Sequence, residues 1–269
     1  MNENSIRTGF IGLGSQGGPM ARRMVEAGFP LTLWARRPES LEPYRDTAAT
    51  YADSIAELGA KADHVGLCVV DDAGVRAVCA ELIPAMAPGS RIVIHSTVHP
   101  QTCLDLADQA AARGIALIDA PVSGGGPGAA AGTLTVMVGG EADAVAAARP
   151  VFESFAGTIV HLGGVGAAQL AKLVNNALMA AHMALARHAL DAGATLGIDR
   201  QALADLIRVS SGRSYGFEVA ARLPTPGAFA HGAKLLAKDV RLLGEVLGDD
   251  PAAIVFDGIA RPFLDAAQR

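Results

Sequence analysis

Residues 8–37 read "TGFIGLGSQGGPMARRMVEAGFPLTLWARR". Glycine loses more conformational freedom on folding than any other residue, yet Gly12, Gly14, Gly17 and Gly18 crowd one turn. The flanks explain the expense. Phe10 and Ile11 form an apolar run of strand length before the turn. Met20, Met24 and Val25 recur after it at helical spacing, and Gly28 stands where a helix would stop. "PLTLW" (30–34) reads as a second strand. The order is strand, glycine turn, helix, strand. In that context Gly12-x-Gly14-x-x-Gly17 has a mechanism. The first glycine permits the tight turn, the second lets backbone amides approach a pyrophosphate, and the third lets the helix pack on the strand. Gly12, Leu13, Gly14, Ser15, Gln16 and Gly17 are therefore the candidate dinucleotide turn; a glycine-rich turn without a ligand is the alternative.

The exit of the second strand refines the cofactor. It reads "LWARRPES" (33–40), with Arg36 and Arg37 and no acid before Glu39. An acid there would accept bonds from the ribose hydroxyls of NAD, whereas cations suit the 2′-phosphate of NADP. The expectation is NADP rather than NAD; two solvated surface arginines are the competing reading.

Strand-like and helix-like stretches then alternate. "ADHVGLCVVDD" (62–72), "SRIVIHSTV" (90–98) and "IALIDAPVSGG" (115–125) are apolar runs that end in polar residues, and helical spacing fills the segments between them. This predicts an α/β, Rossmann-type, doubly wound parallel sheet with helices on both faces. Ligands of such sheets lie beyond the carboxyl ends of the strands. That makes Asp71, Ser96, Thr97, Asp119 and Ser123 the polar strand-end residues to follow. Ser123-Gly124-Gly125-Gly126 offers a hydroxyl and unshielded amides, either a nest for an anion such as a carboxylate or a flexible loop.

After "TIVHLGG" (158–164) the strands stop. Residues 165–195 carry no proline and read as one long helix, with helical segments to the chain end. The expected division is a dinucleotide-binding domain at 1–163 and an all-α domain at 164–269, with 164–195 as a bridging helix. On that helix Lys172, Asn175 and Asn176 project together at i, i+3 and i+4. Leu170, Leu173, Val174, Leu178 and Met179 surround them. A buried lysine has a lowered pKa and can serve as general acid or base; an exposed polar stripe is the alternative. His182 and His188, further along, read as packed or exposed rather than catalytic.

Composition bounds the rest. Half the chain (51%) is hydrophobic, the net charge is −5, and no Lys/Arg block stands out, so no nucleic-acid partner is expected. No uncharged apolar run is long enough for a membrane span. Cys68, Cys79 and Cys103 are odd in number and fit no metal spacing, so buried reduced thiols in a cytoplasmic protein are expected, with no metal.

Four stretches together resemble the β-hydroxyacid dehydrogenases, the family of 3-hydroxyisobutyrate dehydrogenase and the semialdehyde reductases. "GFIGLGSQGGPMA" (9–21) resembles its cofactor motif and "DAPVSGG" (119–125) its substrate motif. "GGVGAAQLAKLVNN" (163–176) is similar to its catalytic-helix motif and "AKDVRLL" (237–243) to a later Lys-Asp cofactor motif. They run in the family's order from residue 8 to about 247.

The resemblance implies an NADP-dependent oxidoreductase acting on a small carboxylate-bearing hydroxy acid or semialdehyde. Its helical domain would resemble that of 6-phosphogluconate dehydrogenases, and the chain would form a homodimer or homotetramer. Lys172 would be the general acid/base, and Asn176, with Asn175, would orient the substrate. Ser123, Gly124 and Gly125 would hold the carboxylate. Thr97 would approach the nicotinamide side, with Val70 and Asp71 also facing the cofactor, and Lys238 would contact the cofactor. Arg213 and Phe217, in "SSGRSYGFE" (210–218), would border the substrate pocket.

The chain departs from the family's pattern at Gln16, where the family usually has Met, and at Ile94-His95, where it often has an acid. Its end at "IARPFLDAAQR" comes early, which leaves the final helices in question. Imine reductases share the fold but generally lack the lysine; 6-phosphogluconate-type decarboxylases are much longer. A non-catalytic NADP-binding protein is the reading from another class.

Overall fold

The computed structural model describes residues 6–269. The opening stretch folds as read: β1 (Thr8–Ile11), α1 (Gly17–Glu26) and β2 (Leu31–Trp34). Next come β3 (Thr50–Tyr51), α2 (Ile55–Lys61), β4 (His64–Leu67), α3 (Asp72–Ala85), β5 (Arg91–Ile94), α4 (Pro100–Ala111) and β6 (Ala116–Asp119). A short strand β7 (Val122–Ser123) and helix α5 (Gly125–Ala131) precede β8 (Leu134–Gly139), α6 (Ala142–Glu153) and β9 (Ala156–Gly163). These strands make one sheet in the order β3-β2-β1-β4-β5-β6-β8-β7, with β9 also paired to β8.

From β3 to β6 every pairing is parallel. β8 runs antiparallel to both β6 and β7, and β9 lies parallel to β8. The strand order reverses at β1/β4, where a doubly wound sheet opens its ligand crevice. Alternation along each strand feeds two cores. Phe10, Val93 and Ile118 join Met20, Met24 and Phe152 on one face. Ile11, Ile92, Ile94 and Leu117 join Leu58, Leu82 and Leu106 on the other. Burial on both faces is why the parallel strands are short, continuous apolar runs.

His95 belongs to this interior. Its ring stacks on Phe10 and meets the Phe152 and Phe155 rings edge-on. Its Nδ1 bonds the Ala120 carbonyl at 2.8 Å. Burial holds its pKa down at about 4, so it is a neutral core residue. Cys79 and Cys103 are free and buried, as expected, and burial pushes the Cys79 thiol up to about 12.

The remaining helices are α7 (Ala167–Thr195), α8 (Arg200–Val209), α9 (Tyr215–Arg222), α10 (Ala230–Leu247) and α11 (Pro251–Ala267). By packing, the described residues form two compact units, one ending at Lys172 and the other Leu173–Arg269, so the division falls inside α7. The helical unit has its own core around Leu173, Met183, Leu190, Phe217, Leu236 and Phe263. No described helix is long and apolar enough to cross a membrane.

Candidate active site

The glycine turn joins β1 to α1. Gly12 has φ +101°, and a Cβ there would run into the Cys68 carbonyl; one on Gly17 would run into the Gly12 carbonyl. Both glycines are demanded by the fold itself. Gly14 is different: a Cβ there would meet nothing within 4 Å, and its φ is ordinary. No neighbour among the described residues requires a bare backbone at Gly14, so the space over it suits a ligand. Helix α1 adds to this. Its N-terminal residue Gln16 makes no side-chain cap, and its first turn carries no acid. Its end therefore presents the positive end of the helix dipole with no acid to offset it, a setting for a phosphate.

Arg36 and Arg37 follow β2, both exposed and without an ion pair among the described residues. At the exit of β4, Val70 is 76% exposed. Asp71 has a structural task as the N-cap of α3, accepting from the Gly74 amide at 2.9 Å.

The exit of β6 does two things within five residues. Asp119, fully buried, accepts from the Gly166 amide (2.7 Å) and the Gln169 amide (2.9 Å), capping the start of α7. Burial raises its pKa, while these backbone bonds oppose the rise. Ser123, Gly124 and Gly125 follow; Gly124 takes φ +126° and Gly125 φ +62°, which glycine alone adopts freely. The loop is therefore a built turn leading into α5. A Cβ on Gly126 would lie 2.5 Å from the Ser15 carbonyl, so this turn closes directly onto the glycine turn. The two motifs the sequence singled out lie side by side.

The start of α7 is tied to the exit of β5 by a residue to which sequence reading gave no role. Gln169 is fully buried. Its Oε1 accepts from the Val98 amide at 3.1 Å, and its Nε2 donates to the Ser96 carbonyl at 2.8 Å. The Ser96 hydroxyl in turn accepts from the Val69 amide at 2.8 Å. Thr97 lies between the two tied peptides. Lys172 follows Gln169 by three residues and is only 8% exposed. The expected ring of leucines is corrected in one respect: Leu170, Val174 and Leu178 are the exposed residues, while Lys172 and Asn176 are the buried ones. Leu173 is buried with them, and Asn175 is exposed.

In the helical unit Asn175 Nδ2 donates to Asn176 Oδ1 (3.1 Å), and Asn176 Nδ2 donates to Asp239 Oδ2 (2.6 Å). Asp239, 3% exposed, also pairs with Lys238 at 3.3 Å. Asp239 was missed at the level of sequence; the only signal was its place in "AKDVRLL". Arg213 is exposed, and Phe217 is packed in the helical core with its amide capped by Ser214. His182 is half-buried and His188 exposed. No cluster of three His, Cys, Asp or Glu able to hold a metal occurs among the described residues.

Residues 7–163 match the family described as the NAD-binding domain of 6-phosphogluconate dehydrogenase. Residues 166–269 match that described as NAD-binding of NADP-dependent 3-hydroxyisobutyrate dehydrogenase. The NAD-dependent L-serine dehydrogenase of Pseudomonas aeruginosa is 36% identical over 258 residues, 88% of this chain and 83% of that one. The mitochondrial 3-hydroxyisobutyrate dehydrogenase of Mus musculus is 32% identical over 94% of this chain and 79% of its own. The chain belongs to the β-hydroxyacid dehydrogenase family. The solved structure of Mycobacterium tuberculosis 3-hydroxyisobutyrate dehydrogenase with L-serine has a TM-score of 0.86 and 29% identity, covering 98% of this chain and 96% of that one. As a β-hydroxyacid dehydrogenase, the protein is an NAD(P)-dependent enzyme acting on a CH–OH group, and the glycine turn belongs to its cofactor domain.

Proposed function

We propose that this dehydrogenase prefers NADP and interconverts a small β- or γ-hydroxy acid with its semialdehyde acid, using Lys172 as general acid/base. The observation that carries the reading is the double use of the β6 exit. Asp119 anchors the helix that bears Lys172, and Ser123, four residues on, opens the loop that closes onto the glycine turn.

The roles follow. The amides of the glycine turn and the N-terminus of α1 hold the pyrophosphate, with Leu13, Ser15 and Gln16 lining it and Val70, Asp71 and Thr97 along the strand exits. Arg36 and Arg37, exposed and without acid partners among the described residues, receive the 2′-phosphate. When bound, the nicotinamide supplies the hydride acceptor or donor. Ser123 and the amides of Gly124 and Gly125 hold the substrate carboxylate and so fix its reacting carbon. In oxidation, neutral Lys172 takes the hydroxyl proton; in reduction, its ammonium returns a proton to the carbonyl oxygen. Asn176, held by Asp239, orients the substrate oxygen with Asn175 beside it, and Lys238 is assigned to the cofactor. Arg213 and Phe217 are kept as pocket residues for size selection. Lys172 itself weighs against an imine reductase and against a non-catalytic binder. The exposed Val174, Leu178 and Leu185 of α7 support a homo-oligomer, with two copies burying that stripe. The three free cysteines suit a reducing cytoplasm.

Lys172→Ala is the test. Loss of a positioned proton donor predicts a fall in kcat of about 10²–10⁴-fold. NADPH binding, followed by fluorescence, should stay within a few-fold of the parent. Undiminished turnover would remove Lys172 from the chemistry.

A further inference from the structure

The geometry points to Gln169 as a positioning residue that holds the Thr97 segment in register with Lys172. The inference rests on the dehydrogenase reading above. The link from Ile94 at the end of β5 to Pro100 at the start of α4 carries Ser96, Thr97 and Val98. A peptide group on each side of Thr97 is held by the same side chain. The Val98 amide donates to Gln169 Oε1 at 3.1 Å, and Gln169 Nε2 donates to the Ser96 carbonyl at 2.8 Å. The two partners fix the amide's orientation, since an N–H demands the oxygen and a carbonyl demands the nitrogen. One side-chain amide thus does for Ser96–Val98 what a neighbouring strand does in a sheet, binding the carbonyl of one residue and the amide of the second residue after it.

Three features argue that the clamp serves the chemistry. Gln169 is fully buried, so its two bonds compete with no water. Its own amide is fixed by Asp119 at 2.9 Å, so the clamp is anchored to the strand exit that opens the Ser123 loop. Lys172 stands three residues on, the helical spacing that shares a face. Slippage of the Gln169 side chain therefore alters the position of Thr97 relative to Lys172. A misplacement of about 1 Å in such a constellation costs on the order of a hundredfold in rate.

Two variants of the full-length chain separate positioning from mere support. They are assayed with NADPH and whichever semialdehyde acid the parent turns over best. Gln169→Met keeps the length and removes both bonds. Its kcat should fall at least about tenfold at every pH, with the KM for the acid within about threefold. Deuterium exchange at the Val98 amide should rise. Gln169→Glu behaves differently. Its ionised carboxylate faces the Ser96 carbonyl with no proton, whereas the protonated acid again offers one donor and one acceptor. The ratio of its kcat to the parent's should therefore climb as pH falls. A folded Gln169→Met enzyme with the parent's kcat would overturn the inference, as would a Gln169→Glu ratio that does not change with pH. If Gln169→Met fails to fold, the pH dependence of Gln169→Glu decides alone. A parent enzyme that turns over no acid would remove the dehydrogenase reading itself, before any variant is made, and this inference with it.

Discussion

Single residues in this protein have separable tasks, and glycine shows it best. Gly17 and Gly14 belong to one motif, yet the first is required by the fold and the second by nothing in the chain. Gly17→Ala should therefore destabilise the protein even without cofactor. Gly14→Ala should leave the unfolding temperature of the apoprotein unchanged and weaken NADPH at least about tenfold, or 1.4 kcal/mol. Thermal unfolding with and without NADPH checks both; an unstable Gly14→Ala apoprotein would contradict the ligand role of that space.

His95 gives a pH dependence at the same scale. It is neutral in the fold, with its pKa lowered from 6.5 to about 4. Below 6.5 the unfolded chain takes up a proton that the folded chain refuses, so stability is full above 6.5 and lost as pH falls toward 4. The loss is about 3 kcal/mol at 1.36 kcal/mol per unit. His64, buried and shifted the same way, adds to it. His95→Asn keeps a donor for the Ala120 carbonyl but cannot titrate. Its urea midpoint should fall less than the parent's between pH 7 and pH 4.5; equal falls would show that His95 is not the group responsible.

Among the elements, α7 is the one on which the account turns. A long alanine-rich helix does not by itself choose which stripe faces inward. Here the start is fixed by Asp119 from the strand before it, through the Gly166 and Gln169 amides. Asp119→Asn keeps one acceptor and sets an NH₂ against an N–H. It should cost about 2 kcal/mol in urea unfolding and lower kcat at temperatures where the protein is still folded. A variant with lowered stability and full kcat would detach the cap from the chemistry. This element also marks how far sequence reaches. Its extent was legible because periodicity and the absence of proline are local signals. Gln169 was not, because its partners Ser96 and Val98 lie more than seventy residues away. Asp239 was hidden likewise, since its Asn176 bond spans 63 positions. The inward turn of Lys172 and Asn176, with Leu170, Val174 and Leu178 outside, was read the other way round for the leucines. Hydrophobicity counts apolar residues but does not say which stripe of a helix the rest of its own chain covers.

At the scale of the molecule, the doubly wound sheet was readable from the alternation of strands and helices, and the glycine turn from its flanks. The antiparallel β8 and the short β7 were not, because the glycines that shape the Ser123 turn look the same in sequence as a flexible loop. The folded turn sets the loop directly against the glycine turn, since Gly126 closes onto Ser15. The family relationship fixes the reaction class, while the proposed choice of acid and of cofactor is assigned to Arg36, Arg37, Ser123 and Lys172. The most direct measurement is steady-state oxidation of NADPH and of NADH by the purified protein, against methylmalonate, succinic and tartronate semialdehydes and glyoxylate. The account predicts turnover of at least one acid, with kcat/KM for NADPH at least about tenfold above that for NADH, or 1.4 kcal/mol. Tight NADPH binding with no turnover of any acid, or a preference for NADH, would contradict it.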